Sequence, residues 1–120
     1  MYTKTILVVD DEEAWREILG RVLLQSGYEV FFATSGEDAL AFLERVKVSA
    51  VVLDLLMPKM DGQEVLDIIQ QRHTQTPVII LSANQDEGKA RDTLQKGAKD
   101  YVMKPLDVDH LLQSVMVACI

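Results

Sequence analysis

Five side chains in this sequence could do chemistry together: the carboxylates of Asp10, Asp11 and Asp54, the hydroxyl of Ser82 and the ammonium of Lys104. They stand at the ends of four apolar runs, Ile6-Leu7-Val8-Val9, Ala50-Val51-Val52-Leu53, Val78-Ile79-Ile80-Leu81 and Tyr101-Val102-Met103. Singly, each has a plain structural explanation, because Asp and Ser cap helices and turns and Lys is ordinarily solvated. Collected in one place they would do more. Three carboxylates within a few ångströms repel, each pair by roughly 4 kcal/mol at about 4 Å in a partly screened site, and one lysine cannot offset that. A hard divalent cation would, and Mg2+ suits a site with few carboxylates and several retained waters. It would neutralise charge on an incoming phosphoryl group while Lys104 and Ser82 bind the remaining oxygens. Asp54 is the candidate nucleophile, since a carboxylate can accept phosphate as an aspartyl phosphate. The chemistry read from the residues is Mg2+-dependent phosphorylation of Asp54.

The positioning elements follow from the pattern. Apolar runs without alternation suit strands buried on both faces of a parallel sheet. After Asp10-Asp11-Glu12, Trp15, Ile18, Leu19, Val22 and Leu23 form one helical face, closed by Gly27. Glu29 to Ala33 reads as an edge strand, broken by a charge. Ser35 with Asp38 resembles a capping box opening a helix with Ala39, Leu40, Phe42, Leu43 and Val46. Val65, Leu66 and Ile69 mark the next helix. The helix from Asp86 to Gly97 is the odd one, since only Ala90 and Leu94 can face a core. Val108, Leu111, Leu112, Val115 and Cys119 form the last face, with Asp107 as its cap. Five strands alternating with five helices predict a βα repeat around a parallel sheet, with right-handed crossovers placing helices on both faces. All carboxyl ends then share one edge, where open parallel sheets bind ligands.

Length and composition bound the function. A chain of 120 residues is one domain with room for a real core. Twelve basic against 19 acidic residues give a net charge of −7, and the scattered Lys and Arg form no phosphate-tracking stripe, so direct nucleic-acid binding is not expected. Cys119 is the only cysteine, which excludes an internal disulfide and favours a reducing, cytoplasmic setting. No signal peptide precedes Ile6 and no apolar run approaches spanning length, so no membrane association is expected. The ending Ala118-Cys119-Ile120 is compatible with a natural terminus or with a cut before a further domain.

The motifs also resemble those of a known family. Val9-Asp10-Asp11-Glu12, Leu53-Asp54-x-x-Met57-Pro58-x-Met60-Asp61-Gly62, Leu81-Ser82-Ala83, Gly97-Ala98-x-Asp100-Tyr101 and Lys104-Pro105 resemble, in this order and spacing, the receiver domain of two-component response regulators. The resemblance covers essentially the whole chain, residues 1–120. It implies a flavodoxin-like, doubly wound (βα)5 α/β fold with strand order 2-1-3-4-5. It implies a signalling switch rather than an enzyme, one that catalyses only its own phosphoryl transfer and slow dephosphorylation. Asp54 would be the phosphoacceptor, taking the group from a phosphohistidine on a sensor histidine kinase or a phosphotransfer protein. Asp11 would ligate Mg2+ directly, Asp10 through water, and Asp54 and the Leu56 backbone carbonyl would complete the protein's share, with Mn2+ an acceptable substitute. Ser82 and Lys104 would contact the phosphoryl group, the Lys104-Pro105 bond would be cis, and Tyr101 would be the aromatic switch residue that follows Ser82. Residues 86–120 would carry the change to an output domain or partner. A phosphorylation-dependent dimer is compatible with the sequence but not legible in it.

Some positions depart from the family's commonest pattern. Leu56 is apolar where polar residues are frequent, Asn84 follows Ser82 by two, and Leu106 replaces a frequent aromatic. Trp15 reads as core or near-site packing, and His73 and His110 as surface residues. A haloacid-dehalogenase-type phosphatase is the enzymatic rival, but it needs Asp-x-Asp after the first strand, where this chain has adjacent acids. A receiver fold that binds partners without phosphate is the other rival, and the complete set Asp10, Asp11, Asp54, Ser82 and Lys104 weighs against it.

Overall fold

A strand whose residues are all apolar has no face to offer water, so each such run must be covered on both sides. The computed structural model, which describes residues 3–57, 61–83, 87–104 and 107–120, covers them as expected. Strands β1 (Thr5–Val9), β2 (Glu29–Ala33), β3 (Ala50–Asp54), β4 (Val78–Ser82) and β5 (Asp100–Met103) alternate with helices α1 (Glu13–Gln25), α2 (Gly36–Leu43), α3 (Gly62–Arg72), α4 (Glu87–Gln95) and α5 (Val108–Ala118). The sheet is parallel throughout, in the order β2-β1-β3-β4-β5.

Successive strand residues point to opposite faces, which divides the core in two. Leu7, Val9, Val51, Leu53, Val78 and Ile80 meet Leu43 of α2 and Val65, Leu66 and Ile69 of α3. Ile6, Val8, Val52, Ile79, Leu81 and Val102 meet Leu19 and Leu23 of α1 and Leu111 and Val115 of α5. Strand β2 lies at the edge, with Phe31 and Phe32 partly in solvent.

The caps are local chemistry. Ser35 Oγ accepts from Asp38 N at 3.1 Å, Asp61 Oδ1 from Gln63 N at 2.9 Å, and Asp107 Oδ1 from His110 N at 3.0 Å. Gly27 follows α1 with φ +94°, a conformation that suits only glycine comfortably. The Asp38 carboxylate accepts from Thr34 Oγ1 at 2.8 Å, so the box closes one residue earlier than expected.

Other expectations need correction. Ile18 and Val108 are exposed, because the buried stripes of α1 and α5 are narrower than their apolar spacing. On α4 the inward residues are the partly buried Ala90 and the fully buried Thr93, while Leu94 is 44% exposed. The Thr93 hydroxyl avoids a desolvation cost by donating to the Ala90 carbonyl at 2.9 Å. Neither histidine is a free surface group: His73 Nε2 lies 3.7 Å from Glu44 Oε1, and His110 Nε2 lies 2.8 Å from Asp100 Oδ2. Ser114 Oγ donates to the same Asp100 oxygen, tying α5 to β5. Burial pushes the Asp100 carboxyl up, but the bonds from Ser114, Tyr101 N and His110 more than offset this and hold it below the usual carboxylate range. Pro58, Met60, Asn84, Asp86, Leu106 and the Lys104-Pro105 bond lie outside the described residues.

Candidate functional site

The sheet register assembles the site. Val9 pairs with Leu53, so the next residues, Asp10 and Asp54, stand level on neighbouring strands. Asp54 pairs with Leu81 and Ser82 with Met103, so Ser82 and Lys104 each follow one step further along the same edge. Asp10, Asp54, Ser82 and Lys104 are all buried there, and Asp11 is exposed beside them.

Lys104 organises the centre. Its Nζ lies 3.1 Å from Asp10 Oδ2 and 3.7 Å from Asp54 Oδ2, and its backbone N donates to the Ser82 carbonyl at 2.9 Å. The other Asp10 oxygen accepts from Glu12 N at 3.0 Å, and the Asp10 carbonyl accepts from Arg16 Nη1 at 2.8 Å. Asp54 Oδ1 accepts from Leu56 N at 3.1 Å. Burial pushes the Asp54 carboxyl up to about 6. The Leu56 N–H and Lys104 oppose that rise, and Asp10 and Asp11 add to it. One ammonium therefore leaves Asp54 in an excess of negative charge.

The loop after Asp54 is held from below by α3. A Cβ added at Gly62 would stand 2.5 Å from Leu55 Cα and 2.7 Å from the Asp54 carbonyl oxygen, so only glycine permits this approach. A groove of about 630 Å3 opens beside the acids, lined by Asp11, Leu56, Met57, Asp61, Gln63 and Lys89 among others. Leu56 projects into solvent, half exposed. Tyr101 is packed inward with the α2 and α3 side of the core.

Oxygen atoms of Asp10, Asp11 and Glu12 lie within 4.8 Å of one another, close enough to share a cation. An all-oxygen donor set beside an under-neutralised carboxylate fits a hard divalent ion. The expectation from sequence places Asp54 and the Leu56 carbonyl in that set and gives Glu12 no part, whereas the spacing brings Glu12 alongside. Sequence reasoning missed Arg16, whose bond to the Asp10 carbonyl no spacing rule announces, whereas the near-site alternative for Trp15 is borne out by a ring centroid 4.4 Å from Lys104 Nζ.

Comparison with known proteins identifies the family. Residues 6–116 match the response regulator receiver domain family. The chain is 42% identical over 102 residues to the alkaline phosphatase synthesis transcriptional regulatory protein PhoP of Bacillus subtilis, covering 85% of this chain and 42% of that protein. It is 38% identical over 106 residues to the regulatory protein AtoC of Escherichia coli, covering 88% of this chain and 23% of that one. The chain thus spans less than half the length of these relatives. The Francisella response regulator 1452 receiver domain superposes with a TM-score of 0.91 at 29% identity, covering 98% of this chain and 97% of the other.

Proposed function

Because the chain belongs to the response regulator receiver domain family, whose general function is a phosphorylation-activated switch in two-component signalling, we propose that Asp54 is its phosphoacceptor. The observation that carries this reading is the Lys104 ammonium lying between the buried carboxylates of Asp10 and Asp54. The Asp54 oxygen attacks phosphorus, the bond from phosphorus to the donor imidazole nitrogen breaks, and that nitrogen keeps the electron pair. Leu56 N–H orients Asp54 by holding one oxygen. Lys104 and Ser82 then bind the phosphoryl oxygens.

Receiver domains generally bind Mg2+ at an acidic pocket. Here Asp10, Asp11, Asp54 and the Leu56 carbonyl are the proposed holders, with Glu12 near enough to take part through water. When bound, Mg2+ supplies charge neutralisation and Lewis acidity at the phosphoryl oxygens.

The proposed donor is a sensor histidine kinase or a phosphotransfer protein, and the reaction is confined to the domain's own phosphorylation and slow dephosphorylation. The proposed output surface is α4, β5 and α5, within residues 86–120, where Leu94, Met103, Met116 and Val117 are exposed. Ser82 and Tyr101 are the proposed switch, with the inward setting of the ring as the one this structure holds. Any nucleic-acid contact would come through an attached output domain. Among the described residues no helix is long and apolar enough to cross a membrane, and a cytoplasmic location is proposed with the kinase partner.

The test is intact mass after incubation with acetyl phosphate, with and without Mg2+, on wild type and Asp54→Asn. A gain of one phosphoryl group that needs both Mg2+ and Asp54 is expected. No adduct and no binding of beryllofluoride by the folded protein would overturn the reading in favour of a phosphate-independent binding module.

A further inference from the structure

An aromatic ring stands over the ammonium at the centre of the site. Lys104 Nζ lies 4.4 Å from the Trp15 ring centroid, and the lysine side chain is only 6% exposed. A cation within about 6 Å of an indole face is attracted by the ring quadrupole, more strongly when water is excluded. Lysine is a point charge on a flexible stem, and two carboxylates alone would leave it free to settle on either. The ring is an uncharged attractor. It keeps its hold on the ammonium when an incoming phosphoryl group or cation takes over the carboxylate oxygens.

Trp15 is itself held in place. It sits in the first turn of α1, and that turn is locked to the end of β1. Glu12 N donates to Asp10 Oδ1 at 3.0 Å, and Arg16 Nη1 donates to the Asp10 carbonyl at 2.8 Å. The ring, Asp10 and Lys104 therefore form one connected unit.

We propose that Trp15 is a positioning residue for phosphoryl transfer, its indole face holding the Lys104 ammonium between Asp10 and Asp54 where the phosphoryl oxygens arrive. This rests on the reading of Asp54 as acceptor and Lys104 as a phosphoryl contact. A ring that only fills space would serve equally well with its electrons withdrawn; a ring that binds the cation would not.

Trp15 is the sole tryptophan in the chain, so growth on fluorinated tryptophans alters the ring at this position alone. Successive fluorines weaken the quadrupole with little change in shape. The rate of Asp54 phosphorylation by acetyl phosphate with Mg2+ should fall stepwise from unlabelled to mono-, di- and trifluorotryptophan, reaching about fivefold. Trp15→Phe should lie between wild type and Trp15→Leu, with the folded state of each checked by circular dichroism. Equal rates across the fluorinated series, with the unlabelled protein accepting phosphate normally, would overturn the positioning role. Absence of any Asp54 adduct in folded, unlabelled protein would instead take down the acceptor reading, and this inference with it.

Discussion

Lys104 Nζ lies 3.1 Å from Asp10 Oδ2, a buried ion pair between residues 94 positions apart. The two belong to the ends of β5 and β1, which are not neighbours in the sheet. The pair therefore reaches across the ends of β3 and β4, directly over the strand ends that carry Asp54 and Ser82. Such a pair is weak evidence of net stability, but removing one partner strands the other.

Lys104→Met should accordingly leave Asp10 and Asp54 buried without a cation. In buffer containing chelator, unfolding free energy should drop by about 3–5 kcal/mol. Added Mg2+ should then raise the unfolding midpoint more in the variant than in wild type, because the competing ammonium is gone. Urea titrations with and without Mg2+ check both points. A negligible loss in chelator would remove the pair from the account.

The raised Asp54 carboxyl predicts a pH signature. Its folded value of about 6 lies above the ordinary 3.8, so between those values the folded state binds the proton more tightly than the unfolded one. Stability is therefore lost as pH rises through this window. Asp54→Asn, which carries no charge, should be more stable than wild type by about 1–3 kcal/mol near pH 7.5 without Mg2+. The advantage should shrink as pH falls below 6 and vanish near about pH 4. An advantage independent of pH would refute the cause.

Gly62→Ala should be costly, about 1–3 kcal/mol, because its Cβ meets rigid backbone at Leu55 and Asp54. The change should also slow phosphorylation by pushing the acceptor loop off α3. Gly20→Ala is the contrast: its Cβ would meet the Phe32 ring at 2.6 Å, a side chain on an edge strand that can turn away. Paired denaturation curves test the ranking, and similar costs for the two would count against it.

Helix α4 should exchange its amides fastest among the helices, since among its described side chains Ala90 and Thr93 alone are not exposed. Beryllofluoride should change protection across residues 87–104. Hydrogen exchange identical with and without it would leave the output face without its moving part.

Leu56, half exposed beside Asp54, should hinder the water that hydrolyses the acyl phosphate. Leu56→Asn is expected to shorten the phosphate lifetime several-fold, on the order of 1 kcal/mol in barrier. Decay of the phosphorylated form, followed by mass, decides it.

Much of this protein was legible in the residues alone. The runs from Ile6 to Val9 and from Ala50 to Leu53 announce strands because unbroken valine and leucine cannot face water. A polar residue that ends such a run stands at the sheet's carboxyl edge, which is why Asp10, Asp54, Ser82 and Lys104 could be grouped from the sequence. Ser35 and Asp107 could be read as caps because a cap acts within one turn.

What the tertiary structure decided depends on contacts between elements. Spacing made Leu94 the inward residue of α4, but the rotation of a short, polar helix is set by what it lies on, and Thr93 faces in instead. His110 gained its partner only when α5 settled against β5, bringing Asp100 within reach of both His110 and Ser114. The seating of Lys104 between Asp10 and Asp54, under the face of Trp15, required strand order, register and the first turn of α1 together. Apolar periodicity is a property of neighbours along the chain and survives in one dimension. Distances between strand ends are sums over the whole sheet, and only the packed molecule contains them.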